Sequence, residues 1–203
     1  MTFVIASNNR DKILEMREIL GAFGLELLSQ AEAGVALEVE ETGVTFAENA
    51  LLKAHGVSVA TGMPAIADDS GLMVDALGGE PGVYSKRYGG GGLTDAQLCE
   101  QIVKNMRGRE PRSAQFVSSI ACVFPNGDLI TAEGICHGKI LDAPRGVGGF
   151  GYDPVFFVDS AGGSMAELTF AEKNAVSHRG NALRDFAEKL KTYLNSEQRW
   201  KNA

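Results

Sequence analysis

The sequence predicts an α/β protein, a mixed twisted sheet flanked by helices, and three stretches carry the prediction. An apolar strand pattern, Thr2 to Ala6, runs through a polar turn straight into a helical repeat. A short apolar run, Pro64 to Ala67, ends on two adjacent carboxylates, Asp68 and Asp69. Two β-rich runs, Ser113 to Phe124 and Leu129 to Ile140, flank Pro125-Asn126-Gly127-Asp128, a hairpin signal that makes part of the sheet antiparallel.

Composition sets the class. With 203 residues, 44% hydrophobic and 22% charged, the chain fits one domain, 1–203, or one domain with two lobes. A chain of this size buries about 70% of its unfolded surface. No apolar run approaches the roughly 20 residues of a membrane span, and the N-terminus shows no secretory pattern. Cys99, Cys122 and Cys136 have neither C-x-x-C nor zinc-ligand spacing, which suits reduced thiols in a cytoplasm. A net charge of -7 argues against nucleic-acid or membrane-surface partners, themselves anionic. A polyphosphate substrate would therefore need local or metal-borne positive charge.

In chain order, the first strand leads through Ser7-Asn8-Asn9-Arg10-Asp11-Lys12 into a helix with Ile13, Met16, Leu20 and Phe23 inward, ended by Gly21 and Gly24. A polar loop between a strand and a helix N-terminus is an anion site in many α/β proteins, and Lys12 adds charge; it reads equally as a capped turn. A second strand covers Leu25 to Ser29. The acidic segment Glu38-Val39-Glu40-Glu41 is either a solvated charge run or one wall of a site facing Asp68 and Asp69. Thr45-Phe46-Ala47-Glu48 is a capping box, opening a helix with Phe46, Ala50, Leu51 and Ala54 inward, Lys53 as its notable polar residue and Gly62 as its stop.

Adjacent strand residues point to opposite faces, so for Asp68 and Asp69 to serve one centre the chain should turn there, and Ser70-Gly71 supplies turn residues. Such a loop is either a hard-cation site or a solvated acidic turn. Glycines and a proline between Val74 and Ser85 allow tight turns or close ligand approach, and Gly89 to Gly92 is a connector. Thr94-Asp95-Ala96-Gln97 caps a third helix with Leu98, Ile102 and Met106 inward. Between Arg145 and Phe157, glycines surround Phe150, Tyr152 and Asp153, and Phe150 or Tyr152 either stacks on a planar base or, as loop aromatics more often do, packs against the fold. A last helix carries Ala182, Leu183, Phe186, Leu190 and Leu194 inward. His178 and Arg179 stand at its start, where cations oppose the helix dipole; an anion or a donor requirement would explain them, and exposed capping-region charges are the other reading.

Six ordered blocks then point one way: Ser7-x-Asn9-x-x-Lys12, Phe46-x-Glu48-Asn49-Ala50, Ala67-Asp68-Asp69-Ser70-Gly71, Pro81-Gly82-Val83-Tyr84-Ser85, Gly149-Phe150-Gly151-Tyr152-Asp153-Pro154 and Lys173-x-x-x-Ser177-His178-Arg179-Gly180. Over residues 2 to 194 the chain resembles the Ham1-like inosine triphosphate pyrophosphatases in their bacterial dITP/XTP form. Lys86, where the family usually has a small residue, and the glycine-rich 89–92 run depart from the pattern.

The resemblance implies hydrolysis of non-canonical purine nucleoside triphosphates to monophosphate and pyrophosphate, with magnesium, by a homodimer with a central substrate cleft between two lobes. It implies that triphosphate lies along Ser7, Asn8, Asn9, Arg10, Asp11 and Lys12, with Lys53 and Lys173 adding charge and Ser70 donating to a phosphate oxygen. Asp69 is implied as general base with Asp68 in support, and magnesium is implied on Asp69 together with Glu40 or Glu41. Phe150, Gly151, Tyr152, Asp153, His178 and Arg179 are implied to form the base pocket, where Arg179 would donate to the 6-keto oxygen that adenine lacks. Two other readings are set against this one: a Maf-like pyrophosphatase of modified pyrimidine triphosphates, which the Ser177-His178-Arg179-Gly180 block disfavours, and a non-catalytic nucleotide sensor.

Overall fold

The structure, a computed structural model, describes the backbone from residue 1 to 201 and side chains from residue 1 to 196. Its elements in order are β1 (Thr2–Ile5), α1 (Arg10–Gly21), β2 (Glu26–Ser29), α2 (Phe46–Thr61), β3 (Ala65–Val74), α3 (Asp95–Asn105), β4 (Ser113–Val123), β5 (Leu129–Ile140), β6 (Phe156–Val158), β7 (Gly163–Ser164), α4 (Phe170–Val176) and α5 (His178–Lys201). Seven strands form one mixed sheet in the order β2-β1-β3-β4-β5-β6-β7. β1 pairs in parallel with β2 and β3, whereas β5-β6 and β6-β7 are antiparallel, so the mixed α/β expectation holds. No helix among the described residues is long and apolar enough to cross a membrane.

The chain divides into two compact units. The first comprises Met1–Asp69, Ser119–Gly134 and the chain from Asn181 onward. β1 and the first half of β3 are buried on both faces, as parallel strands covered by helices must be. Phe3, Ile5 and Ile66 pack with Met16 and Leu20 of α1 and Leu183, Phe186 and Leu190 of α5. Val4, Ala6, Ala65 and Ala67 face the other way, onto Ala50, Ala54 and Val57 of α2. The period of two along β1 and β3 thus gives each strand a helix on either side. The second unit, Ser70–Ser118 with Ile135–Gly180, centres on Leu72, Leu98, Ile102, Met106, Phe116, Tyr152 and Phe156.

Caps place the helix starts. Asn9 Oδ1 accepts from the backbone N–H groups of Asp11 and Lys12, and Thr45 with Glu48 and Thr94 with Gln97 form the expected capping boxes. Each such cap is worth about 1 kcal/mol. Gly62 ends α2 at φ 66°, in the left-handed region that only glycine enters freely.

Three expectations are corrected. Phe23 is 46% exposed, because α1 stops at Gly21 and the helical period no longer carries it inward. Leu51 is 39% exposed and Asn49 is fully buried, since the inward face of α2 follows Phe46, Asn49, Ala50, Ala54 and Val57. Most consequentially, the chain does not turn at Ser70-Gly71: β3 runs unbroken from Ala65 to Val74, straight through both carboxylates.

Cys99, Cys122 and Cys136 are buried free thiols, and burial raises all three, Cys99 to about 12 and Cys136 to about 11. A raised thiol stays protonated and unreactive at neutral pH. Native protein at about pH 8 should therefore resist iodoacetamide, while the denatured chain takes a label at each cysteine, as mass spectrometry would read. Fast native labelling of any one would show that its burial is not maintained.

Candidate active site

Because β3 is a regular strand, Asp68 and Asp69 point to opposite faces and meet different helices. Asp68 shares its face with Ile66 and receives Lys12 of α1, Nζ to Oδ2 2.7 Å, with its side chain fully buried. Asp69 shares its face with Ala67 and receives Lys53 of α2, Nζ to Oδ1 2.8 Å. Lys53 also donates to Glu41 Oε1 at 2.8 Å and to the Asp68 carbonyl at 2.9 Å, so all three of its N–H bonds are used. This lysine therefore draws the acidic segment to Asp69, and Glu41 is the member it reaches; Glu40 is exposed.

Electrostatics at this centre favour protons. Burial raises Asp69 above its ordinary value of 3.8, more than the Lys53 and Lys12 ammoniums lower it. Burial also works against charge on Lys53, but its carboxylate partners Asp69 and Glu41 outweigh it and hold the ammonium above 10.5. Lys53 is therefore charged, and Asp69 is a carboxylate whose proton affinity burial raises.

Of the loop before α1, Ser7 Oγ accepts from the Asn9 N–H at 3.2 Å and Asn8 Oδ1 accepts from Gln30 Nε2 at 3.2 Å. Arg10 and Asp11 are exposed in the first turn of α1, which is the anion-favouring end of a helix.

In the second unit, Arg179 is 1% exposed and its guanidinium donates to Ser70 Oγ at 2.9 Å. Lys173 and Asp153 form a buried ion pair at 2.5 Å, and Asp153 Oδ2 also accepts from the Phe150 N–H at 2.9 Å. The Phe150 ring has Lys173 Nζ 4.4 Å and Arg179 Cζ 5.6 Å from its centroid, so a half-buried aromatic ring lies within cation–π reach of two cations. His178, 5% exposed, stacks on Phe116 with ring centroids 4.7 Å apart and planes 14° from parallel. Tyr152 is corrected as a stacking candidate: it is 3% exposed within the core, with its hydroxyl donating to the Ser85 carbonyl at 2.7 Å.

Gly149 is constrained twice. It has φ 69°, and a Cβ there would lie 2.0 Å from Asp153 Oδ2. Gly149→Ala should therefore displace Asp153 from Lys173 and Phe150, lowering stability by about 1 to 3 kcal/mol. A melting temperature equal to wild type would show that the loop relaxes without loss.

Sequence reasoning missed three supporting side chains. Asn49 accepts the Gly43 N–H at 2.8 Å and so holds the segment that follows Glu41; its position one helical turn before Lys53 was a legible signal. Phe116, which orients His178, gave no signal, being one apolar residue of a β-rich run. Asp95 accepts the Gly151 N–H at 2.7 Å, a contact across 56 residues that no local pattern encodes.

The sequence profile of the Ham1 family matches residues 3–189. The dITP/XTP pyrophosphatase of Desulfotalea psychrophila is 49% identical over 180 residues, 89% of this chain and 81% of that protein. The dITP/XTP pyrophosphatase of Thermus thermophilus is 49% identical over 193 residues, 94% of this chain and 92% of that protein. Among solved structures, a HAM1 protein from Coxiella burnetii superposes with a TM-score of 0.86 at 41% identity, covering 95% of this chain and 99% of that one. A match across nearly the whole chain, and in the same fold, establishes that the protein belongs to the Ham1 family.

Proposed function

We propose that this protein hydrolyses non-canonical purine nucleoside triphosphates, ITP, dITP and XTP, to the monophosphate and pyrophosphate, removing them from the nucleotide pool. The observation that carries the reading is the 49% identity over 94% of the chain to a dITP/XTP pyrophosphatase. The buried Asp69 centre supplies chemistry suited to it.

In this reading Asp69 accepts a proton from water as the water oxygen attacks the α-phosphorus. The α–β phosphoanhydride bond breaks, and pyrophosphate leaves with the bonding electron pair. A carboxylate whose proton affinity burial has raised is better suited to this than an exposed one. Asp68, on the opposite face, holds Lys12 at the start of α1, where the helix N-terminus also favours phosphate. Ser7 through Lys12 line the triphosphate, and Lys53 and Lys173 add charge. Because Lys12, Lys53 and Lys173 each rest on a carboxylate, phosphate shares or displaces that carboxylate when it binds. Ser70 Oγ, held by Arg179, donates its proton to a phosphate oxygen. On the base side, Phe150 offers its ring for stacking beside Gly151 and Asp153, and Arg179 with His178 presents donors to the 6-keto oxygen. Adenine carries an amino group there, and facing donor to donor costs about 1 to 3 kcal/mol.

Magnesium fits this donor set. Asp68, Asp69 and Glu41 outnumber Lys12 and Lys53, leaving net negative charge on hard oxygen donors. Among the described residues no three His, Cys, Asp or Glu side chains form a ready metal cage. Magnesium needs none, since it takes one or two carboxylates, keeps waters and binds substrate phosphates. Asp69, with Glu41 or its neighbour Glu40, would hold it, and there it would neutralise phosphate charge and acidify water.

The test is pyrophosphate release from a panel of triphosphates, coupled to inorganic pyrophosphatase, with magnesium present. ITP, dITP and XTP should each yield monophosphate and pyrophosphate well ahead of ATP. Tight ITP binding with no pyrophosphate would identify a sensor instead, and a preference for modified pyrimidines would identify a Maf-like activity. We further propose that residues 1–203 act as one catalytic domain, in the cytoplasm and as a homodimer; light scattering at the mass of one 21.5 kDa chain would rule out the dimer.

A further inference from the structure

We propose that α3 is a specificity-positioning element: Asp95 and Cys99 clamp the Gly151 peptide and thereby set the loop that presents Phe150 to the base. The inference rests on the reading of that loop as the base pocket. Asp95 Oδ2 accepts the Gly151 N–H at 2.7 Å, and Cys99 Sγ donates to the Gly151 carbonyl at 3.3 Å. The two residues are four apart on α3, so they lie one above the other on one helix face. Both polar groups of a single peptide residue are thus held from one helical turn. Burial keeps the Cys99 thiol protonated, as a donor must be.

The helix is itself fixed. The Thr94–Gln97 capping box defines its first turn, and Leu98, Ile102 and Met106 bury its inner face. The loop it holds has little other freedom to choose its conformation. Gly151 sits at φ 62°, Phe150 N–H is on Asp153, and the Tyr152 hydroxyl is on the Ser85 carbonyl. Between those two anchors both polar groups of Gly151 are held by α3. Lys86, 77% exposed at the side chain and 3.3 Å from Asp95 Oδ1, touches the other carboxylate oxygen and leaves the clamp to Oδ2.

The experiment measures kcat and KM for ITP and ATP in wild type, Asp95→Ala, Asp95→Asn, Cys99→Ala and Lys86→Ala, each with its melting curve. Asp95→Ala should raise KM for ITP about tenfold, leave kcat within about twofold, and compress the ITP-over-ATP ratio of kcat/KM by a similar factor. Asp95→Asn, which keeps an acceptor oxygen, should recover a ratio within about threefold of wild type, and Lys86→Ala should keep the wild-type ratio. Cys99→Ala should shift the ratio in the same direction by about threefold, and it carries the test if Asp95→Ala does not fold. A folded Asp95→Ala with wild-type KM and ratio overturns the clamp, as does a Lys86→Ala that loses as much selectivity as Asp95→Ala. A wild type that does not prefer ITP overturns the base-pocket reading, and the clamp with it; a wild type that prefers ITP beside an unaltered Asp95→Ala overturns the clamp alone.

Discussion

Asp69→Asn should lower ITP turnover by about 10² to 10⁴ while the protein stays folded. The amide keeps the shape of the carboxylate, and its oxygen can still accept from Lys53 Nζ, which retains Glu41 and the Asp68 carbonyl as well. What is lost is the proton acceptor and one negative charge. Stability points the same way. Burial raises Asp69 above its ordinary 3.8, so the folded protein holds that proton more tightly than the unfolded chain does. The corresponding stabilisation is present in acid and disappears as pH rises through the folded value; at neutral pH an ionised Asp69 is a burden that the amide removes. The melting temperature of the variant at neutral pH should thus lie within about 5 °C of wild type. Retention of more than about a tenth of wild-type turnover by the folded variant, with magnesium present, would show that Asp69 is not the base.

The fold was legible where local chemistry decides it. Capping boxes at Thr45 and Thr94, the Asn126-Gly127 hairpin and the apolar run of β1 each act over a few residues, and each is present. The site was legible only as a set of residue types. Reading Asp68-Asp69 as a loop assumed that two carboxylates must serve one centre from one side, whereas β3 uses the strand's own alternation to give each its own lysine on its own helix. Lys12 and Asp68 are 56 positions apart, and Lys53 and Asp69 are 16 apart, so neither pairing has a periodic signature. The misplacement of Tyr152 has a similar origin. An aromatic in a glycine-rich loop reads either as a stacking ring or as a packed one until the carbonyl of Ser85, 67 residues earlier, is seen to accept its hydroxyl in the core. Long-range partners decide such cases, and they are set by packing rather than by spacing.

Lys173→Met should destabilise the protein by about 3 to 5 kcal/mol, the loss expected when one member of a buried ion pair is removed. Lys173 and Asp153 have side-chain exposures of 5% and 4%, and at 2.5 Å the ammonium is the counter-charge to a carboxylate that also fixes the Phe150 N–H. Methionine fills nearly the same volume but leaves Asp153 with too little compensation for its burial. For a chain of this length a loss of that size corresponds to a fall in melting temperature of roughly 6 to 20 °C. A second variant separates structure from binding. Asp153→Asn combined with Lys173→Met removes both charges, and the Asn oxygen can still accept from Phe150, so most of the lost stability should return. Triphosphate affinity should not return with it, because the double variant still lacks the Lys173 charge; a charge-assisted contact of that kind is worth about 1.5 to 3 kcal/mol. Melting curves and ITP binding, measured against inosine as the uncharged ligand, read the two effects apart. A double variant as unstable as Lys173→Met would show that the ion pair is not what the single change disrupts. A double variant that binds ITP as tightly as wild type would confine Lys173 to holding the loop and return the phosphate contact to Lys12 and Lys53.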